Sequence, residues 1–137
     1  MSRVRFVALC AAAALLLTAG GSAQQAPLTI VSAGPTGPLD SLAGRLLFDA
    51  VYERWLALPS GARPKLYVFG ESLGSFGGET AFSGEFDLRN RVSGALFTGP
   101  PNFNPLYRSF VDGRDAGSPE VEPVYREGRT IRFTNLP

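Results

Sequence analysis

The sequence predicts an α/β fold, a parallel sheet with flanking helices, and three observations predict it. Apolar runs rich in strand formers recur at 28–33 (LTIVSA), 65–69 (KLYVF) and 92–98 (VSGALFT). Between them, apolar residues return at helical spacing. Clusters of Gly and Pro separate the segments. Helix and strand alternating in this order implies right-handed crossovers between parallel strands.

Size and composition narrow the function classes. The chain of 137 residues has room for one domain. A net charge of +1 leaves no electrostatic footprint for nucleic acid or an anionic membrane surface. Histidine is absent, which removes imidazole as metal ligand, proton shuttle or catalytic base. The single cysteine, Cys10, excludes an internal disulfide framework and a Cys-rich zinc site. No metal site is expected.

Residues 1–23 have the three parts of a secretory signal: Arg3 and Arg5, an apolar core from Phe6 to Ala19, and small residues at Gly21-Ser22-Ala23. The core as a helix reaches about 21 Å, short of the ~30 Å hydrocarbon layer. The readings are a cleaved export signal, an uncleaved anchor, or a misplaced start or recombined N-terminus. Cleavage after Ala23 would remove Cys10 and both arginines, shifting the net charge to −1. The expected localisation is exported or membrane-associated.

Residues 24–40 are expected to be a linker or irregular, with 28–33 as a short strand and Gly34-Pro35-Thr36-Gly37-Pro38 as a break. The main domain is expected over 41–137. Asp40 or Ser41 can cap a helix with an apolar face of Ala43, Leu46, Leu47, Ala50, Val51, Trp55 and Leu58. Phe48, Tyr52 and Leu56 widen that face, and Pro59-Ser60-Gly61 ends it. Leu73, Phe76, Gly77, Thr80 and Ala81 follow the second strand at helical spacing, and a turn is expected around Asp87 to Arg91. Beyond Pro101 the pattern weakens, with a last strand at 130–134 (TIRFT).

One motif carries chemistry. Gly70-Glu71-Ser72-Leu73-Gly74 fits G-x-S-x-G, a sharp strand-to-helix turn that exposes a serine hydroxyl. Side chains at Gly70 or Gly74 would collide with the serine or the adjoining strand and helix. The bare pattern is weak, but the strand before it and the helical spacing after it are the context it requires. Ser72 is the expected nucleophile and the Leu73 amide the expected oxyanion donor. Gly77 and Gly78 indicate close helix-to-sheet packing, or alternatively room for a substrate. Glu71 is expected to be solvated or structural rather than catalytic.

The segments RPKLYVFGESLGSFGGE (63–79) and GALFTGPPNFNPL (94–106) resemble a bacterial family of membrane proteins with an α/β-hydrolase catalytic domain. The similarity runs from about Ala43 to Phe133. It implies a serine hydrolase of unspecified natural substrate with Ser72 in the nucleophile position. Any substrate would be a small ester or acyl compound. No cofactor is expected, since the motif is not a P-loop and no G-x-G-x-x-G follows a strand. The GPPNFNP block would sit at the carboxyl edge of the sheet, where Asn102 and Asn104 either line the opening or cap the loop. Residues 1–40 do not resemble the family's early part, which would normally supply the second oxyanion donor. The family's later strands and its histidine also have no counterpart here.

Acyl transfer by serine needs a base, and this sequence has no histidine to serve as one. Lys65 lies about 13 Å of strand from the motif and does not reach it. Asp112 and Asp115 follow the serine in the order expected of a triad acid, but without histidine neither has anything to orient. Three readings result: a partial or truncated hydrolase, an exported binding or accessory domain, or a half-site completed by a partner chain. In each, negligible esterase activity is expected from this polypeptide alone.

Overall fold

The computed structural model describes residues 3–6, 28–32 and 38–135. Among the described residues, five strands form one sheet in the spatial order 28–32, 66–71, 94–98, 3–6 and 131–133, every neighbouring pair parallel. In chain order the elements are β1 (Arg3–Phe6), β2 (Leu28–Ser32), α1 (Pro38–Leu56), β3 (Leu66–Glu71) and α2 (Leu73–Glu79). They continue as α3 (Glu85–Arg91), β4 (Gly94–Thr98), α4 (Pro105–Asp112) and β5 (Ile131–Phe133). This is the α/β class that the alternating pattern predicts.

The core forms where the strands' apolar side chains meet the helices. Leu66 and Val68 of β3, Ala95 and Phe97 of β4, and Ile131 of β5 are buried with Phe48, Phe82, Leu88 and Phe110. Each of the Val, Leu, Ile and Phe side chains contributes roughly 1.5–3 kcal/mol on burial. Gly78 brings α2 against the sheet: a Cβ there would lie 2.8 Å from Phe97 Cε1. The packing reading of that glycine therefore holds. Gly77 meets α1, because a Cβ on Gly44 would overlap the Gly77 carbonyl.

Several expectations need correction. The sheet begins before residue 41, since Leu28–Ser32 pairs along its length with Leu66–Gly70. The inward face of α1 is Phe48 with half-buried Val51, Tyr52 and Trp55, whereas Leu46 and Leu47 are exposed. Aromatic stacking selects that face: Phe48 on Tyr52, Tyr52 on Trp55, and the Arg91 guanidinium 4.5 Å from the centre of the Phe48 ring. Asp87–Arg91 is helical rather than a turn, its first turn held by the Asp87 carboxylate accepting from the Ser83 N–H at 3.0 Å. The weakly patterned stretch after Pro101 contains α4, which starts on Pro105 at its first turn.

At the N-terminus, Arg3–Phe6 is a strand between β4 and β5, although those residues open the expected signal. Val4 and Phe6 are strand-favouring residues at alternate positions, consistent with that role. The expected apolar core beyond Phe6, the cleavage region and the break at 34–37 lie outside the described residues.

Candidate active site

β3 ends at Glu71 and α2 begins at Leu73, so the whole reversal falls on Ser72. Ser72 takes φ 51° and ψ −120°, a region that costs a non-glycine residue roughly 1–3 kcal/mol. Hydrogen bonds hold it there. Its N–H donates to the Thr98 carbonyl at 2.8 Å, extending the β3–β4 ladder by one residue. Its carbonyl accepts from the Ser75 N–H at 3.0 Å and from Ser75 Oγ at 2.5 Å. The residue is exposed at the carboxyl edge of the sheet.

The glycine spacing has the steric origin that the sequence suggests. A Cβ on Gly70 would lie 2.6 Å from the Gly74 carbonyl oxygen and 2.7 Å from Ser75 Cα. The two outer glycines of the motif thus approach one another, backbone against backbone. Leu73 opens α2, and an N–H in the first turn of a helix has no acceptor within the helix. The arrangement presents an exposed hydroxyl beside an amide donor.

The two sequence blocks at 70–79 and 99–105 meet in space. Asn104 Nδ2 donates to Ser75 Oγ at 3.0 Å and to Glu79 Oε1 at 3.0 Å. The Tyr107 N–H donates to Glu79 Oε2 at 2.9 Å. Phe103 packs edge-on to Phe76, with ring centres 5.7 Å apart. Glu79 is 1% exposed, and its burial pushes the carboxyl up from 4.5 to about 7 despite the opposing hydrogen bonds from Asn104 and the Tyr107 amide.

A sequence profile describing an alpha/beta-hydrolase family matches residues 25–137. The chain belongs to that family. No curated protein and no solved structure matches it. The match starts just before β2 and takes in the serine turn, the Gly99–Asn104 connection and β5.

Of the two asparagines, Asn102 is exposed on the connection after β4. Asn104 is 0% exposed, so its side chain does not line the opening. Nor does it cap α4, despite standing at the capping position. Its amide is drawn instead to the buried Glu79 carboxylate, which needs a donor. Asn104 Oδ1 and Thr98 Oγ1 are buried without a hydrogen-bond partner among the described residues.

Glu79 and Ser75 were not distinguished by sequence reasoning beyond their place in the family-like block. The available signal was a lone acid four residues after Ser75, on a short helix otherwise made of apolar and small residues. Glu71 closes β3 half-buried and in register with Thr98, while Lys65 is exposed before β3 begins. Asp112 is exposed at the end of α4. The Asp115 carboxylate accepts the N–H groups of Arg126 and Glu127 at 2.9 and 2.8 Å. It thereby holds two residues with positive φ.

A cavity of about 300 Å³ opens beyond the carboxyl ends of β4 and β5. Gly99, Pro100, Tyr107, Phe133, Glu120 and Glu122 are among the residues lining it. Gly99 directly follows Thr98, the residue that accepts the Ser72 N–H. Among the described residues, no three of His, Cys, Asp and Glu cluster as a metal site would require.

Proposed function

We propose that this chain carries the nucleophile side of a serine acyl-hydrolase site, with the general base supplied from outside these 137 residues. The observation that carries the reading is the backbone of Ser72, held at positive φ on an exposed turn within G-x-S-x-G. Ser72 Oγ attacks the acyl carbon of a small ester as the external base removes its proton. The Leu73 N–H donates to the oxyanion that forms. The alcohol leaves with the proton returned by the base, and water then hydrolyses the acyl-serine. The cavity lined by Gly99, the residue that follows Thr98, offers room for the substrate, and Asn102 is exposed on the same connection. No cofactor takes part.

The absence of histidine favours a second reading, an exported binding or accessory domain that keeps the fold without turnover. Reactivity of Ser72 separates the two. The full chain is incubated with an alkyl fluorophosphonate and added imidazole, and modification is followed by peptide mapping. The hydrolase reading expects Ser72 to react at least about tenfold faster than the exposed Ser83, given a neighbouring oxyanion donor. Equal rates at the two serines would leave the binding-domain reading.

The basic start and apolar run at the N-terminus support export or membrane association. Among the described residues no helix is long and apolar enough to cross a membrane. Cleavage after Ala23 would remove β1, which is also the strand that pairs with β5. An uncleaved N-terminus is the form of export compatible with the five-stranded sheet. The intact mass of the protein recovered from membrane and secreted fractions tests this directly. Loss of residues 1–23 would show that the sheet matures without β1.

A further inference from the structure

We propose that Glu79 and Asn104 are positioning residues for the serine turn, acting through Ser75 on the backbone carbonyl of Ser72. The inference rests on the reading of Ser72 as the reacting group only for its effect on reactivity. The chain of contacts is continuous: Glu79 Oε1 accepts from Asn104 Nδ2, the same nitrogen donates to Ser75 Oγ, and Ser75 Oγ donates to the Ser72 carbonyl. Each bond is 3.0 Å or shorter. Glu79, Asn104 and Ser75 are each 1% exposed or less, so water does not substitute for a lost partner.

The direction of donation follows from chemistry. Asn104 Nδ2 has two hydrogens, and both of its acceptors lie at bonding distance. The Ser75 hydroxyl accepts from Asn104 and is left to donate to the one strong acceptor beside it, the Ser72 carbonyl. That carbonyl is the pivot of the turn. Because Ser72 sits in a costly backbone region, the turn persists only where surrounding bonds over-determine it. Glu79 anchors the far end, fixed additionally by the Tyr107 N–H.

The groups bonded to Glu79 are neutral on every side: Asn104 from the β4–α4 connection and the backbone amide of Tyr107 from α4. Ser75, also neutral, joins the chain from α2. No cation pairs with Glu79 among the described residues. Gain or loss of its proton is therefore not buffered by a neighbouring charge. It changes how strongly the carboxyl accepts from Asn104, and the change passes along the chain to Ser72.

The test follows backbone amide signals of Ser72, Leu73, Ser75 and Tyr107 by nuclear magnetic resonance from pH 5.5 to 8.5, using the full chain. The wild-type protein is expected to show one shared midpoint near 7 at all four amides. In Ser75→Ala, Tyr107 keeps that midpoint while Ser72 and Leu73 lose it. In Glu79→Gln the step vanishes everywhere, and the Ser75 amide exchanges with solvent about tenfold faster, the rate equivalent of one hydrogen bond. Turn amides that ignore the Tyr107 midpoint in the wild type would overturn the proposal, whether or not either variant folds. So would turn amides that still follow it in Ser75→Ala. Slow reaction of Ser72 with fluorophosphonate alongside intact coupling would instead refute the hydrolase reading and leave the positioning role standing.

Discussion

Asn104 donates to Ser75 Oγ at 3.0 Å across 29 positions of sequence, and neither side chain is exposed. This bond joins the helix behind Ser72 to the connection that follows β4. The serine turn is thus built by two distant segments rather than by the five residues of its motif.

Asn104→Ala removes the donor shared by Ser75 and Glu79 and leaves the Glu79 carboxyl short of a partner. Each buried polar group left unsatisfied costs about 1–3 kcal/mol. The variant is expected to lose about 2–4 kcal/mol of stability, read as a lower denaturant midpoint at unchanged slope.

Glu79 gives the fold a pH dependence with a definite sign. Its folded-state value is about 7 against 4.5 for the ordinary carboxyl, so the folded protein binds the extra proton between those values. Its contribution to stability is therefore full below pH 4.5 and is lost as pH rises through 7. The total is on the order of 3 kcal/mol. Denaturation across this range is expected to show falling stability in the wild type, with that component of the slope absent in Glu79→Gln.

Two glycines are expected to respond differently to alanine. In Gly78→Ala the new methyl meets the edge of the Phe97 ring, which can shift, and a loss of about 1–3 kcal/mol is expected. In Gly70→Ala the methyl meets the backbone of Gly74 and Ser75, which cannot move without opening the turn. That variant is expected to lose more stability than Gly78→Ala in thermal melting, and to lose the faster labelling of Ser72 as well.

Hydrolysis of a short-chain p-nitrophenyl ester by this chain alone is expected to be indistinguishable from that of Ser72→Ala. Without a base, serine chemistry falls by orders of magnitude. Turnover in the wild type that disappears in the variant would show that a base is present within these residues.

Much of the fold was legible because its signals are local. The β3 and β4 strands read directly from their apolar runs, and the steric demand of the Gly70–Gly74 spacing stands in the motif itself. Helix α3 was hidden because its only apolar residues, Phe86 and Leu88, stand two apart and mark no helical period. Helix α4 was masked by surrounding Pro and Gly, although Pro105 in its first turn is a starting signal. The inward face of α1, Phe48, Val51, Tyr52 and Trp55, has helical spacing, but so do Ala43, Leu46, Leu47 and Ala50, and the stacking of Phe48, Tyr52 and Arg91 decides between them. Asn104 reads from sequence as a loop residue that either lines an opening or caps the loop. Its inward turn is dictated by a buried acid 25 positions away, and no local pattern carries that information.

The central claim is that the two segments form one unit around Ser72, and a double-mutant cycle between Ser75→Ala and Asn104→Ala tests it most directly. Stability is measured by denaturant unfolding of the wild type, both single variants and the double variant. A coupling of about 1 kcal/mol is predicted, because either single change already breaks the shared bond. Losses that add to within about 0.3 kcal/mol would contradict the account, showing that the segments lie side by side without holding one another.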